Sequence, residues 1–207
     1  MRAHAVKHYE SVIQVLNEPG CPICTFVKNV QSRLLQEGEV GGFTGICNTH
    51  AWALAAVRRS AAAAQIFLSL IEQKLKPEQH ECAVCIRLDQ EETLRIQELL
   101  ASFKRRHVVE WTEKRGVFCL PHGLKLREEA AEHERGLIEA AIRRTRADLE
   151  AGLREFIRDQ TDGGETTHGG VLGKAAEYLV GQRGICLRLQ TPRGAAACNT
   201  MSTAQTR

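Results

Sequence analysis

Four short blocks carry residues able to do chemistry: Cys21-Pro22-Ile23-Cys24, Cys47-Asn48-Thr49-His50, Cys82-Ala83-Val84-Cys85 and Cys119-Leu120-Pro121-His122. They form one pattern written twice, a C-x-x-C followed downstream by a C-x-x-H, and it takes in six of the eight cysteines. Two ligand residues with two others between them can grip one ion from a single turn of backbone. Two such pairs complete a tetrahedron, so each copy supplies a Cys₃His set. The candidate metal ligands are therefore Cys21, Cys24, Cys47 and His50, then Cys82, Cys85, Cys119 and His122. Pairing within each copy is the simplest assumption. Exchange between copies, or one binuclear centre, would use the same eight residues. Zinc fits Cys₃His with short ligand spacings, and an iron–sulfur cluster takes the same ligand types with histidine as an uncommon substitute for one cysteine.

Other chemistries are weaker on these residues. A C-P-x-C can be a dithiol redox motif, but that motif sits in a βαβ context and needs no C-x-x-H partner. A c-type haem needs histidine after the second cysteine, and Thr25 and Ile86 stand there instead. His80 and Glu81 precede Cys82 and read as linker residues, with a supporting role at the metal as the sharper option. His133 reads as a core histidine, and Cys186 and Cys198 as thiols in the tail. There is no Walker loop, dinucleotide fingerprint, H-E-x-x-H or G-x-S-x-G, so the chain points away from an enzyme.

The composition is that of a soluble globular protein: 26% charged and 43% hydrophobic residues over 207 positions. Aromatic residues at 5% are sparse, so packing must rest on Leu, Ile, Val and Ala. A net charge of +3 permits nucleic-acid contact without arguing for it. The clusters Lys104-Arg105-Arg106 and Arg143-Arg144-Thr145-Arg146 are interleaved with acidic residues and read as solvated helix faces. No signal-peptide run opens the chain, and the most apolar stretch, 61–71, is too short to span a bilayer. The expectation is a cytoplasmic protein, and in a reducing compartment clustered cysteines are ligands more often than disulfides.

The elements that must position the eight residues are helical. Helical spacing runs over 3–18, ended by Asn17-Glu18-Pro19-Gly20, and again over 25–37. An Ala-rich helix is expected over 50–75 and another over 86–106, with a helical turn near Trp111. From Leu124 to about Asp159 apolar residues recur every three or four positions, predicting one long rod, and a short helix follows over 173–179. No strand pattern appears. The expected fold is all-α, a helical bundle organised around two Cys₃His sites with one long C-terminal helix. The expected division is residues 1–80 with the first site, 81–180 with the second site and the long helix, and 181–207 as a loose tail.

Each ligand pair stands where a helical stretch begins, so unsatisfied N–H groups would face the thiolates. Three thiolates and an imidazole around Zn²⁺ carry a net −1 charge, which two helix starts would offset. Pro22 suits a first helical turn, and Pro121 is a second instance. The pairs have 22 residues between them in the first copy and 33 in the second. That difference is close to three helical turns, and a chain leaving Cys24 on a helix has enough residues to return to the same ion.

Pro19-Gly20-Cys21-Pro22-Ile23-Cys24 and Gly116-Val117-Phe118-Cys119-Leu120-Pro121-His122 resemble the tandem C-P-x-C and G-x-C-x-x-H motifs of a bacterial family of unknown function built on a helical framework. Leu179-Val180-Gly181 is similar to a leucine-glycine ending in that family, and the likeness runs over roughly residues 10–184. Ala83 departs from it, standing where proline is usual. The resemblance implies a metal-binding helical protein and supplies no activity.

The function expected from these observations is a non-enzymatic, zinc-stabilised helical protein that binds a protein partner or itself, acting as an interaction or regulatory module. The alternative is an iron–sulfur redox or electron-transfer accessory protein. A third possibility is a thiol sensor that loses its metal on oxidation.

Overall fold

A computed structural model describes residues 12–37, 45–57, 61–72, 82–161 and 170–182. The described residues are helical and contain no strand. The helices are α1 (residues 12–16), α2 (Pro22–Glu37), α3 (Asn48–Val57), α4 (Ala61–Glu72), α5 (Ala83–Ser102), α6 (Arg106–Lys114), α7 (Leu120–Glu129), α8 (Glu132–Thr161) and α9 (Gly170–Val180). The fold is all-α, as the periodicity predicts.

Burial follows that periodicity. In α2, Ile23, Phe26, Val27, Val30 and Leu34 are buried while Lys28, Asn29, Ser32 and Arg33 face solvent. In α5 the buried face runs through Val84, Leu88, Ile96 and Leu99. Each such side chain contributes about 1.5–3 kcal/mol when fully buried. Arg95 lies over the Phe26 ring, 5.0 Å from its centroid, and pairs with Glu98 at 2.5 Å.

The chain divides into two compact units. One is Met1–Phe26 with Glu92–Ile185; the other is Val27–Glu91 with Cys186–Arg207. In the first unit α8 packs against α6, α7 and α9. The second unit contains α3 and α4, with Leu54, Ala63 and Leu70 buried.

The predicted rod from Leu124 to Asp159 is two helices. Ala130 is extended (φ −75°, ψ 146°) and separates α7 from α8, although neither proline nor glycine marks the spot. The break is held by charged side chains of the next turn. Glu134 Oε2 accepts from the Ala131 N–H at 3.2 Å, the backward half of a capping box. Arg135 donates to the carbonyls of Arg127 (3.3 Å) and Ala130 (3.2 Å), which α7 leaves unpaired at its end. At 30 residues α8 is still the long C-terminal helix, about 45 Å. His133, expected in the core, is exposed, because restarting the helix at Glu132 turns that position outward.

Other boundaries differ as well. Of the stretch expected as one helix over 50–75, the structure describes helix in α3 and α4, and residues 58–60 and 73–75 lie outside the described residues. The turn near Trp111 is a nine-residue helix, α6. Residues 80, 81, 186 and 198, and the tail beyond 182, lie outside the described residues. No helix among the described residues is long and apolar enough to cross a membrane.

Candidate metal centres

All four ligand pairs are built alike. The first member of each pair (Cys21, Cys47, Cys82, Cys119) immediately precedes a helix, and the second (Cys24, His50, Cys85, His122) is the third residue of that helix. In every case the leading cysteine's carbonyl accepts the first helical hydrogen bond. Its donors are the N–H groups of Thr25 (3.1 Å), Ala51 (2.8 Å), Ile86 (3.0 Å) and Gly123 (2.8 Å). A C-x-x-C or C-x-x-H placed across a helix start turns both side chains to one side, next to unsatisfied N–H groups. Pro22 opens α2 and Pro121 is second in α7, where a missing N–H costs nothing. Ala83 opens α5, and its N–H is used, donating to the Gly45 carbonyl at 3.3 Å. The departure from proline thus ties the segment before Cys47 to the start of α5.

The pairs join across the copies. Cys21 and Cys24 meet Cys119 and His122, while Cys47 and His50 meet Cys82 and Cys85; within each group the ligand atoms all lie within 4.8 Å of one another. The simplest assumption, pairing within each copy, is therefore not what the chain does. Sufficient chain length permits a return but does not enforce one. A helix that begins on a ligand pair carries the chain away from it, about 24 Å for α2 and about 30 Å for α5.

In the first group Cys24 Sγ is 3.6 Å from Cys119 Sγ. His122 Nδ1 is 3.5, 3.3 and 3.1 Å from the sulfurs of Cys21, Cys24 and Cys119. In the second, Cys47 Sγ is 3.8 Å from Cys85 Sγ, and His50 Nδ1 is 3.3, 3.4 and 3.4 Å from Cys47, Cys82 and Cys85. Sulfurs so far apart are not disulfides, which need about 2.0 Å. A regular tetrahedron with metal–sulfur bonds of about 2.3 Å and a metal–nitrogen bond of about 2.05 Å has S···S edges of about 3.8 Å and S···N edges of about 3.6 Å. Both groups have the dimensions to hold one ion.

Their electrostatics fit a cation. His122 and His50 are fully buried, and every cysteine of the two groups is buried except the half-buried Cys47. Thiols and imidazole packed this closely divide charge among themselves. Against burial, hydrogen bonds from Cys119 and Cys24 and the positive charge of His122 hold Cys21 well below the usual thiol range, whereas hydrogen bonding to Cys21 and Cys24 pushes Cys119 up. In the second group hydrogen bonds from Cys47 and Cys85 lower Cys82, and hydrogen bonding to Cys47 and Cys82 raises Cys85. Both imidazoles are raised against the effect of burial by neighbouring thiolates, His50 to about 9 and His122 well above its ordinary value. A divalent cation would take all four ligand atoms of a group at once and balance the charge of its thiolates.

Two supports carry no mark in the ligand pattern. Glu92 of α5, itself buried, places Oε1 3.3 Å from His122 Nε2 and 2.5 Å from Lys125 Nζ. Its approach to Nε2 is poorly aligned for a hydrogen bond, so the contact is one of charge. Nothing in the local spacing of Glu92 singles it out; helical periodicity alone would put it near the apolar edge of α5. The second support is Gly181, in the left-handed region (φ 86°) just after α9, with its N–H on the Glu177 carbonyl at 2.9 Å. The next residue, Gln182, donates to Thr25 Oγ1 at 3.4 Å. The leucine-glycine ending thus lies against the first turn of α2, beside Cys24. Gly123, next to His122, gives the same group its seat on α8, since a Cβ there would come within 2.9 Å of Ile142 Cδ1.

The basic clusters have local partners. Arg106 pairs with Glu110 (2.7 Å), Arg146 with Glu150 (2.6 Å) and Arg143 with Glu139 (3.8 Å). Arg144 donates to the carbonyls of Glu113 (2.7 Å), Thr112 (3.0 Å) and Gly116 (3.0 Å), closing the end of α6.

No family model, curated protein or solved structure matches this chain.

Proposed function

We propose that this chain is a zinc-stabilised helical protein that acts as a protein-interaction or regulatory module and not as an enzyme. The observation that carries this is the size of the two ligand groups. The S···S and S···N separations within each group match the edges expected of a tetrahedron around one ion, and four ligand residues would leave no corner open. Closed four-ligand sites are structural sites, whereas catalytic zinc keeps a position for water or substrate. A cluster would put ligands on separate irons and spread them apart, so atoms gathered within 4.8 Å favour a mononuclear ion over the iron–sulfur alternative.

The ligands would be Cys21, Cys24, Cys119 and His122 at one ion and Cys47, His50, Cys82 and Cys85 at the other. The chemistry each ion supplies is cross-linking: it gathers two helix starts and makes metal binding part of folding. Apolar side chains exposed on α8 and α9, Ile157, Leu172 and Leu179, support a contact surface for a protein partner or a second copy.

Elemental analysis with an absorption spectrum of anaerobically purified protein tests the metal. Two zinc ions per colourless chain are expected; brown protein containing iron and sulfide would overturn the zinc assignment. Light scattering with and without zinc tests self-association.

A further inference from the structure

We infer that the two sites are unequal: the Cys21, Cys24, Cys119 and His122 site retains its ion, and the Cys47, His50, Cys82 and Cys85 site exchanges a soft divalent cation with small thiols and chelators through Cys47. The inference rests on the zinc reading above and goes beyond it in separating the sites.

Two independent observations divide them. All four residues of the first group are buried, whereas Cys47 in the second is only half-buried, giving a competing ligand a way in. The groups also differ behind the histidine. His122 Nε2 has the Glu92 carboxylate at 3.3 Å, and Glu92 is held in turn by Lys125. His50 Nε2 is buried too and, like His122 Nε2, has no aligned hydrogen-bond partner, but no carboxylate stands beside it among the described residues. A carboxylate beside a ligating imidazole favours the positive charge that the ring takes up on binding a cation, and losing an outer partner of a metal ligand typically costs 10–100-fold in metal affinity. Glu92 is thus a charged support of the first site, and the second site has no counterpart to it among the described residues.

Exchange at the second site is a ligand substitution without electron transfer. A thiolate from outside forms a bond to the ion as the bond to Cys47 Sγ breaks, and the released Cys47 thiolate takes a proton from water. An ion held by Cys82, Cys85 and His50 alone is then open to removal by a second incoming donor.

The test uses the full chain loaded with two zinc ions, mixed with excess chromogenic zinc chelator. Release in two phases of equal amplitude, at least tenfold apart in rate, is expected. Iodoacetamide added during the fast phase should label Cys47, Cys82 and Cys85 while Cys21, Cys24 and Cys119 remain unlabelled by peptide mass mapping. Glu92→Gln, checked for unchanged helicity, should speed only the slow phase, by about tenfold or more. A single phase, early label on Cys21, Cys24 or Cys119, or a Glu92→Gln protein with an unaltered slow phase would overturn the inference and leave the zinc reading standing. A chain that takes up no zinc would overturn both.

Discussion

Cys24 Sγ and Cys119 Sγ stand 3.6 Å apart although 95 positions separate them in the chain. The matching contact in the other group, Cys47 to Cys85, spans 38 positions. An ion at either place closes a loop in the unfolded chain. Closure entropy grows only as the logarithm of loop length, so this difference is worth about 0.8 kcal/mol. What distinguishes the sites is therefore the burial and backing of their ligands, more than the length of chain they close.

Pairing across the copies has a direct consequence for single ligand variants. Cys119→Ser should raise hydrogen exchange at the start of α2, around residues 21–26, and leave 82–88 protected. Cys47→Ser should do the reverse, loosening the start of α5. Each variant should fall from two bound ions to one. Loosening of 82–88 by Cys119→Ser, read by exchange mass spectrometry, would contradict the pairing.

Removing the ions should cost a large part of the fold. Structural zinc contributes on the order of 10 kcal/mol at neutral pH, and its thiolate and imidazole ligands bind only when deprotonated. Because the ion holds ligand protons off in the folded state, metal-derived stability is present at neutral pH and is lost as pH falls and protons compete. Thermal melts of zinc-loaded protein should therefore drop steeply on acidification, while melts in excess chelator start low and change less.

Arg144 closes α6 from a neighbouring helix, donating to three carbonyls. A planar guanidinium reaches all three together, and an ammonium does not. Arg144→Lys should destabilise by about 1–2 kcal/mol in chemical denaturation. Arg143→Lys on the exposed side should have no measurable effect.

Two glycines should respond oppositely to alanine. A Cβ on Gly116 would lie 2.8 Å from both Cα and O of Thr112, which is backbone and cannot give way, so Gly116→Ala should cost about 1–3 kcal/mol. A Cβ on Gly136, inside α8, meets nothing within 4 Å, and Gly136→Ala should stabilise by about 0.5–1 kcal/mol. Denaturation midpoints of the two variants should fall on either side of the parent.

Much of the site is legible in the residues themselves. A ligand pair three residues apart at a helix start is a local feature, set by Pro22, Pro121 and the apolar runs that follow, and local geometry is written in local sequence. The break at Ala130 is less legible, because its signal is Glu134 and Arg135 folding back on the preceding turn and no helix breaker stands there. The expectation of a buried His133 fails for that same reason. Glu92 escapes a reading of spacing because its role depends on a histidine 30 positions away in another helix.

The chain's sequence alone determined that it is helical, that eight residues are presented at four helix starts, and that six of them are thiols. Each of these follows from interactions within one or two turns. Only the tertiary structure decided that Cys21 and Cys24 join Cys119 and His122, leaving Cys47 and His50 to Cys82 and Cys85. Spacing says how two ligands share a turn, but which turns meet depends on which buried helix faces pack together, and apolar periodicity marks a face without naming its partner.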